Sequence, residues 1–360
     1  MLKKVLQIVG VFALVSCSGG REPTETTCDD CDAGHIDLDA SVDAMGDGDL
    51  DASLEDVDSE TPDVVYVDVV PTPDACADVS VSINRKTNVI FIVDQSTSMD
   101  ATFGSGTRWS VLKNALLADT GIISTYQNVV DFGVTLYSSR GGSAGGTCPM
   151  LTEVAPMLNN LAGIRTVYQP ARTVGDTPTG ESIDAVLTKV PTAGNTLFVL
   201  ATDGEPDTCA VPNPQRGQQR SIDAVTRAFN AGVKTYVLAV ANESELSQSH
   251  VNALANAGAG VATGAPSYRV SNDQGLRAAL DEIVYGGISC DVQMNGRVQG
   301  TNPCVGNVTL GGSQLNCSTD NGWSLVGDST LRLAGDACSK FKTGSKLEAS
   351  FPCESVIILY

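Results

Sequence analysis

The pattern of apolar and polar positions divides the chain into a regularly alternating middle and two flanks of different character. In the middle, short continuous apolar runs at 88–93, 131–137, 196–201 and 234–240 are typical of strands buried on both faces of a parallel sheet. Between and after them, apolar residues recur at helical spacing over 109–117, 183–190, 222–229, 251–257 and 276–284. This alternation predicts an α/β domain over residues 79–288, with a doubly wound, mostly parallel sheet and helices on both faces.

The last part of the chain, residues 289–360, has the pattern of a small β structure. Strand-like segments at 291–294, 329–333, 346–351 and 356–360 are separated by turns rich in Gly, Asn and Asp. Several cysteines lie in the same stretch. We therefore expect a disulfide-rich β appendage after the α/β domain.

The N-terminus has the pattern of an export signal. Lys3 and Lys4 precede an apolar stretch at 5–15, which has the length of a signal-peptide core. The sequence Leu-Val-Ser-Cys that ends at Cys17 resembles a bacterial lipobox, which implies a signal peptide over 1–16 and a lipid on Cys17. The alternative is an ordinary secretory signal that happens to contain a cysteine. The resemblance implies a cell-envelope protein, attached by its lipid anchor only, and Ser18 favours the outer membrane, facing the periplasm or the cell surface.

Charge is concentrated between the signal and the α/β domain. The chain has 22 basic and 42 acidic residues, and 17 of the acidic ones lie in 29–78, which contains no Lys or Arg. Such a segment repels itself and has too few large apolar residues to form a core, so residues 17–78 are predicted to be a disordered linker. A net charge of −20 also argues against nucleic acid as a partner, because phosphate binding needs a basic surface.

Candidate metal ligands follow the predicted strands. Asp94, Ser96 and Ser98 come directly after the first strand, Thr177 opens a helix, and Asp203 follows the third strand. Ligands of open α/β sheets bind at the carboxyl ends of the strands, so these side chains are expected to meet. Carboxylate and hydroxyl oxygens suit Mg²⁺, with Mn²⁺ or Ca²⁺ as alternatives, and are poor ligands for Zn²⁺ or Cu²⁺.

The three motifs together resemble the von Willebrand factor type A (VWA) domain. They are Asp-x-Ser-x-Ser, Gly-x-Thr-Pro-Thr-Gly and Thr-Asp-Gly, in that order over roughly residues 84–286. The resemblance implies a metal-ion-dependent adhesion site (MIDAS) formed by the residues that match the motifs: Asp94, Ser96, Ser98, Thr177 and Asp203. Thr177 is preferred to Thr179 because family members usually use the first hydroxyl of this motif. Thr97 departs from the family, where many relatives have Gly.

The family implies binding rather than catalysis. In such a site an Asp or Glu of a partner protein completes the coordination of the metal, so we expect an adhesion or protein-binding module and no enzyme. One alternative is a metal-dependent hydrolase with Asp203 and with Glu205 as general base. Another is a structural envelope lipoprotein without a ligand. The two histidines do not resemble a catalytic motif, and His250 is expected on a helix surface.

The eleven cysteines indicate an oxidising compartment. Lipidation of Cys17 would leave ten, an even number. We expect Cys76 to pair with Cys290, because the two ends of the VWA fold lie close together, and Cys148 to pair with Cys209 near the metal face. Cys28 and Cys31 are expected to form a local disulfide. Two more bridges, of open connectivity, are expected among the last four cysteines: Cys304, Cys317, Cys338 and Cys353.

Overall fold

The computed structural model describes residues 79–81, 83–84, 87–140, 146–191, 195–210, 216–241, 246–317 and 320–358. The predicted signal peptide, lipidation site and acidic linker lie outside these residues. No helix in the described ranges is both long enough and apolar enough to cross a membrane.

Strands and helices alternate through the first two thirds of the described chain. They are β1 (Val79–Val81), β2 (Ile83–Asn84), β3 (Thr87–Asp94), β4 (Thr102–Phe103), β5 (Gly106–Thr107), α1 (Arg108–Leu117), α2 (Ile122–Tyr126), β6 (Asp131–Arg140), β7 (Thr147–Met157), α3 (Leu161–Tyr168), α4 (Thr179–Leu187), β8 (Asn195–Thr202), α5 (Gln218–Asn230), β9 (Lys234–Val240), α6 (Gln248–Ala259), β10 (Tyr268–Val270) and α7 (Asp273–Gly287). Short strands and one helix follow: β11 (Asp291–Met294), β12 (Gly296–Val298), β13 (Asn307–Leu310), β14 (Ser313–Gln314), β15 (Gly322–Val326), β16 (Thr330–Ala334), α8 (Gly335–Lys342), β17 (Leu347–Phe351) and β18 (Val356–Ile358).

A six-stranded sheet organises the α/β part. Its strand order is β10-β9-β8-β3-β6-β7, and every pairing is parallel except that of β7 with β6. The predicted mixed α/β architecture with a mostly parallel sheet is therefore confirmed. The antiparallel edge strand β7 was not predicted, because its residues have no continuous apolar run.

Both faces of this sheet are covered by helices. Alternate residues of β3 point to opposite sides, as strand geometry requires. Val89, Phe91 and Val93 pack in one apolar cluster with residues of α1, α2, α3 and α7. Ile90 and Ile92 pack in a second cluster with residues of α4, α5 and α6. The central strand is thus buried along its whole length, which explains its continuous apolar run.

The C-terminal strands form smaller antiparallel sheets around a separate apolar core. Two four-stranded sheets have the orders β1-β17-β13-β14 and β15-β16-β11-β2, and β12 pairs with β18. Their core contains Trp323, which packs edge-on against Phe351 with ring centroids 6.3 Å apart. Because β1 and β2 pair with β17 and β11, the backbone of residues 79–81 and 83–84 belongs to this β region by its pairing.

The disulfides confirm some of the predicted pairings and correct others. Cys148 pairs with Cys209, as predicted, and their Cα atoms are 5.4 Å apart. The predicted Cys76–Cys290 pair is wrong, because Cys290 bonds to Cys338. Cys338 lies on α8, a helix that the β-like pattern did not predict, and α8 places its sulfur within reach of the strand that begins at residue 291.

The prediction of two bridges among the last four cysteines is wrong for one of them, because Cys338 bonds to Cys290 and so leaves one bridge within that group. Cys304 bonds to Cys317 across a short loop, with Cα atoms 5.5 Å apart. Cys353 is also disulfide-bonded. The expectations for Cys17, Cys28, Cys31 and Cys76 fall outside the described residues.

Candidate metal centre

The carboxyl ends of the central strands bring the two predicted acidic ligands together. In the register between β3 and β8, Val93 lies opposite Ala201. Asp94 therefore ends β3 beside the end of β8, and Asp203 follows β8 by one residue. Both carboxylates are buried. The position expected from the strand order is thus where these side chains lie.

A chain of hydrogen bonds links four of the five predicted ligands. Asp94 Oδ1 accepts from the backbone N–H of Ser96 at 2.9 Å. The hydroxyl oxygens of Ser96 and Ser98 are 2.8 Å apart, and Ser98 Oγ donates to Asp203 Oδ1 at 2.7 Å. The second oxygen of Asp94 accepts from Thr202 Oγ1 at 2.7 Å. The hydroxyl and carboxylate oxygens of these residues therefore lie within hydrogen-bond distance of one another in a single small cluster.

Two residues beside this cluster were not predicted. Thr202 belongs to the Thr-Asp-Gly motif, so its position before Asp203 was a signal for a role next to Asp94. Arg108 lies at the start of α1, and its Nη1 donates to Asp203 Oδ2 at 2.6 Å. The side chain of Arg108 is only 5% exposed. No sequence motif pointed to this buried ion pair.

Thr177 lies on the adjoining loop, which is fixed by its backbone. Thr177 N–H donates to Asp207 Oδ2 at 3.3 Å, and Thr177 O accepts from Asp207 N–H at 2.9 Å. Neither bond uses the Thr177 hydroxyl. The loop is joined to the first motif because Thr97 N–H donates to Gly175 O at 3.2 Å. Gly175 has φ of 71°, and a Cβ there would collide with the backbone oxygen of Ser139, so only glycine fits.

Thr97, where the motif that the sequence resembles often has Gly, leaves the cluster of candidate ligands intact. Thr97 is exposed, and its hydroxyl also lies 3.4 Å from Gly175 O. The side chain therefore points to the loop that carries Thr177, and the hydrogen bonds among the first-motif residues remain in place.

Burial makes the two carboxylates costly to ionise. Removal from water raises the pKa of Asp94 to about 7, and the nearby charge of Asp203 adds to this effect. Burial also raises the pKa of Asp203, although hydrogen bonds from Ser98 and Arg108 oppose it. Asp207 is affected in the same direction, since burial raises its pKa to about 6. The cluster therefore favours a neighbouring positive charge.

The donor set fits a hard divalent cation. Asp94, Ser96, Ser98 and Asp203 present only oxygen atoms, and Thr177 offers another hydroxyl from the next loop. In the described part of the chain, no group of three or more His, Cys, Asp or Glu side chains is placed to hold a metal. A cation at this position would thus rely on hydroxyl oxygens beside the two carboxylates, a chemistry that suits Mg²⁺, Mn²⁺ or Ca²⁺.

Glu205 and His250 are the two other residues that the sequence analysis considered. Glu205 Oε1 accepts from the backbone N–H of Ser247 at 2.8 Å, and its other oxygen accepts from Gln218 Nε2. This engagement does not favour a general-base role for Glu205. The expectation that His250 lies on a helix surface is wrong, because it is 4% exposed. Burial lowers its pKa, and the charge of Glu205 partly opposes the shift.

The confirmed disulfide between Cys148 and Cys209 lies at the rim of this face. Cys209 follows Asp203 in the loop before α5, and its N–H lies 3.4 Å from Glu181 Oε1 on α4. Cys148 lies at the start of edge strand β7. The bond therefore ties the loop that carries Asp203 to the edge of the sheet.

No protein-family model and no curated protein sequence matches the chain. Among solved structures, the PilB minor pilin from Streptococcus sanguinis has 12% identity and a TM-score of 0.43, over 55% of this chain and 60% of the pilin. The pilus adhesin SpaC from Lactobacillus rhamnosus GG has 13% identity and a TM-score of 0.45, over 76% of this chain and 39% of the adhesin. BatB from Bacteroides thetaiotaomicron, a conserved hypothetical protein, has 18% identity and a TM-score of 0.39, over 55% of this chain and 97% of that protein. At these values the similarities assign neither a family nor a function to the chain.

Proposed function

We propose that the protein is an extracytoplasmic, lipid-anchored binding module that uses a divalent cation to engage a carboxylate of a partner protein. Its α/β part is proposed to be a VWA domain with a doubly wound sheet, and its site a MIDAS formed by Asp94, Ser96, Ser98, Thr177 and Asp203. The domain limits proposed from the sequence, 79–288 and 289–360, belong to the same proposal, with the strands β1 and β2 paired to the second part. The outer-membrane location and the lipid on Cys17 belong to it as well.

One observation supports the metal site most strongly. Asp94 is a fully buried carboxylate, and its hydrogen bonds come from neutral groups, which are Ser96 and the Thr202 hydroxyl. A buried charge without a nearby opposite charge is unfavourable, because neutral donors replace only part of the lost hydration. A fold keeps such a group where a bound cation compensates for it, and the adjacent oxygen donors of Ser96 and Ser98 are suited to that cation.

The residues of the chain have separable tasks in this proposal. Asp94 and Asp203 supply negative charge, while Ser96, Ser98 and Thr177 supply neutral oxygen donors. Thr202 holds the second oxygen of Asp94 by its hydrogen bond. When bound, the cation would supply a Lewis-acidic position for a carboxylate oxygen of the partner. The partner is therefore expected to present an exposed Asp or Glu.

Calorimetric titration of the purified full-length protein with Mn²⁺ and with Mg²⁺ tests the site. Any cation binding by the acidic segment 29–78 would be the same in every variant, so the informative quantity is the difference between wild type and Asp94→Ala. Asp223, which is exposed on α5, provides the matched control as Asp223→Ala. We expect a saturable binding event in wild type and Asp223→Ala that is absent from Asp94→Ala. Identical titrations for all three proteins would refute the metal site.

Binding to a partner is tested with the same proteins. An immobilised peptide library with and without exposed Glu residues provides acidic probes of defined chemistry. We expect retention that depends on Mg²⁺ and on the Glu residues, and that is lost in EDTA and in Asp94→Ala. Retention that persists in EDTA would show that the surface binds by another means. Saturable metal binding without retention of any acidic peptide would refute the acidic-partner half of the proposal.

A further inference from the structure

The buried ion pair between Arg108 and Asp203 gives the candidate site a built-in positive charge. Arg108 Nη1 lies 2.6 Å from Asp203 Oδ2, and the two side chains are 5% and 0% exposed. The same nitrogen lies 3.3 Å from the backbone oxygen of Ser98. The guanidinium thus contacts both the third and the first motif of the site.

The start of α1 holds this guanidinium in place. Arg108 N–H donates to Ala101 O at 3.0 Å. The preceding residue, Thr107, caps the helix, because its hydroxyl accepts from Ser110 N–H at 3.1 Å and its own N–H donates to Ser110 Oγ at 2.8 Å. Since an arginine side chain keeps its charge at all ordinary pH values, the positive charge is a permanent part of the site.

The pair engages only one oxygen of Asp203. Oδ2 faces Arg108, whereas Oδ1 accepts from the hydroxyl of Ser98 at 2.7 Å. Asp203 therefore keeps an oxygen on the side of the candidate ligands while its charge is balanced from the other side. Two of the five candidate ligands are carboxylates, Asp94 and Asp203. Among the described contacts, Asp203 forms an ion pair and Asp94 accepts hydrogen bonds from neutral groups.

We propose that Arg108 is the counter-ion that sets the charge of the site, so that it weakens cation binding and strengthens the binding of an anionic group to the loaded site. The inference rests on the proposed metal site. With both carboxylates ionised, the ligands and Arg108 together carry one net negative charge, so a divalent cation leaves one net positive charge. Without Arg108 the loaded site would be neutral, and its attraction for a carboxylate would be smaller.

The test compares two substitutions at Arg108 with one control substitution at a different arginine–aspartate ion pair. Arg108→Gln removes the charge and retains a hydrogen-bond donor for Asp203, whereas Arg108→Lys retains the charge. Arg332→Gln is the control, because Arg332 forms an ion pair with Asp291 in the β region, at 2.6 Å. Mn²⁺ affinity of the full-length proteins is measured by electron paramagnetic resonance. Acetate is then titrated into the Mn²⁺-loaded proteins, and water-proton relaxation reports its binding.

We expect Arg108→Gln to bind Mn²⁺ about tenfold more tightly than wild type and acetate more weakly, since a unit charge a few ångströms away changes both affinities by at least about this factor. Arg108→Lys and Arg332→Gln are expected to match wild type. Weaker Mn²⁺ binding by Arg108→Gln would show that Arg108 only positions Asp203, and unchanged binding would show that its charge is irrelevant. Either result overturns the proposal.

A second measurement needs no metal. In EDTA, Arg108→Gln leaves the carboxylate of Asp203 buried without the positive guanidinium beside it. The melting temperature of this variant is therefore expected to fall below that of wild type. Adding Asp203→Asn is expected to restore most of the loss. Failure of this restoration would refute the counter-ion role of Arg108. If wild type binds no more Mn²⁺ than Asp94→Ala, the proposed metal site fails, whereas the EDTA comparison still decides whether the ion pair exists.

Discussion

Replacing Asp94 by Asn distinguishes the free-energy cost of burying the charged carboxylate from the contribution that this charge makes to the proposed cation binding. Asn has nearly the same shape, and its oxygen can accept the hydrogen bond from Ser96 N–H as Asp94 Oδ1 does. Its amide group can donate to the Thr202 hydroxyl, which has free lone pairs. The substitution therefore removes the charge and keeps the shape of the side chain and the bond from Ser96 N–H, while the hydrogen bond with Thr202 changes direction.

The expected magnitude follows from the shifted pKa of Asp94. Burial, assisted by the charge of Asp203, raises this pKa from 3.8 to about 7. A pKa raised on folding gives stability that is fully present below pH 3.8 and is lost as the pH rises through about 7. At pH 8 the ionised carboxylate therefore costs the metal-free fold on the order of 4 kcal/mol. For a domain of this size, that corresponds to on the order of 10 °C in melting temperature.

Thermal unfolding at pH 5 and pH 8, in EDTA and in Mg²⁺, provides the assay. In EDTA at pH 8, Asp94→Asn is expected to melt above wild type, and at pH 5 the difference is expected to shrink. In Mg²⁺ at pH 8 the lead of Asp94→Asn is expected to shrink by more than half, because cation bound only to the native state adds about 2.7 kcal/mol to wild type at one hundred times its Kd, and the variant lacks this gain.

Asp291→Asn is the matched control for this experiment. Hydrogen bonding from Arg332 holds the pKa of Asp291 below its usual range, so loss of its charge is not expected to stabilise the protein at pH 8. If Asp94→Asn melts below wild type in EDTA at pH 8, the carboxylate is stabilised by the fold itself. The argument that it requires a cation would then be refuted.

Three further predictions concern other parts of the described structure. Replacing Cys148 and Cys209 together by Ser is expected to destabilise the protein by up to about 4 kcal/mol in the chain-entropy model, because their bond closes a loop with a sequence separation of 61; unfolding by urea measures it. Because burial lowers the pKa of His250, the unfolded chain takes up a proton before the native protein as the pH falls through 6.5. Melting temperature is therefore expected to fall more steeply from pH 7 to pH 5 in wild type than in His250→Gln, and equal slopes would contradict the buried state. Trp323→Ala is expected to cost about 3–5 kcal/mol, measured by urea unfolding, since Trp323 is 1% exposed in the core of the β region; a loss below 1 kcal/mol would show that this core tolerates the cavity.

The central sheet was the most predictable part of the fold. Strands buried on both faces need continuous apolar runs, and the run at 88–93 corresponds to β3, which is buried throughout. Edge strand β7 has one partner strand and many exposed positions, so its sequence lacks that signal. Helix α8 was missed for a related reason, because it is short and has only Ala337 and Phe341 buried.

The sequence could predict the position of those candidate-site residues that directly follow a strand. Asp94 and Asp203 follow β3 and β8 directly, so strand order alone placed them together. Arg108 reaches Asp203 from the start of a helix that lies 95 positions earlier in the chain. Such a pairing depends on how α1 is packed and oriented, and neither periodicity nor a motif records it. The pairing of Cys290 with Cys338 has the same character, since it depends on the unpredicted helix α8.

The location of the unfavourable charge is itself informative about function. Along β3, the positions from Val89 to Val93 are buried and apolar as a sheet interior requires, and the buried amide of Asn88 has a neutral partner, since its Nδ2 donates to Thr196 Oγ1 at 3.0 Å. This pattern ends at Asp94, where a group that prefers water occupies the last buried position. Asn, which has nearly the same shape, would fill this position without the cost of a buried charge. A carboxylate at this one point, after a run of apolar residues and with hydroxyl oxygens around it, is the arrangement that supports the proposed cation site, because a neutral side chain would supply no charge to hold the cation.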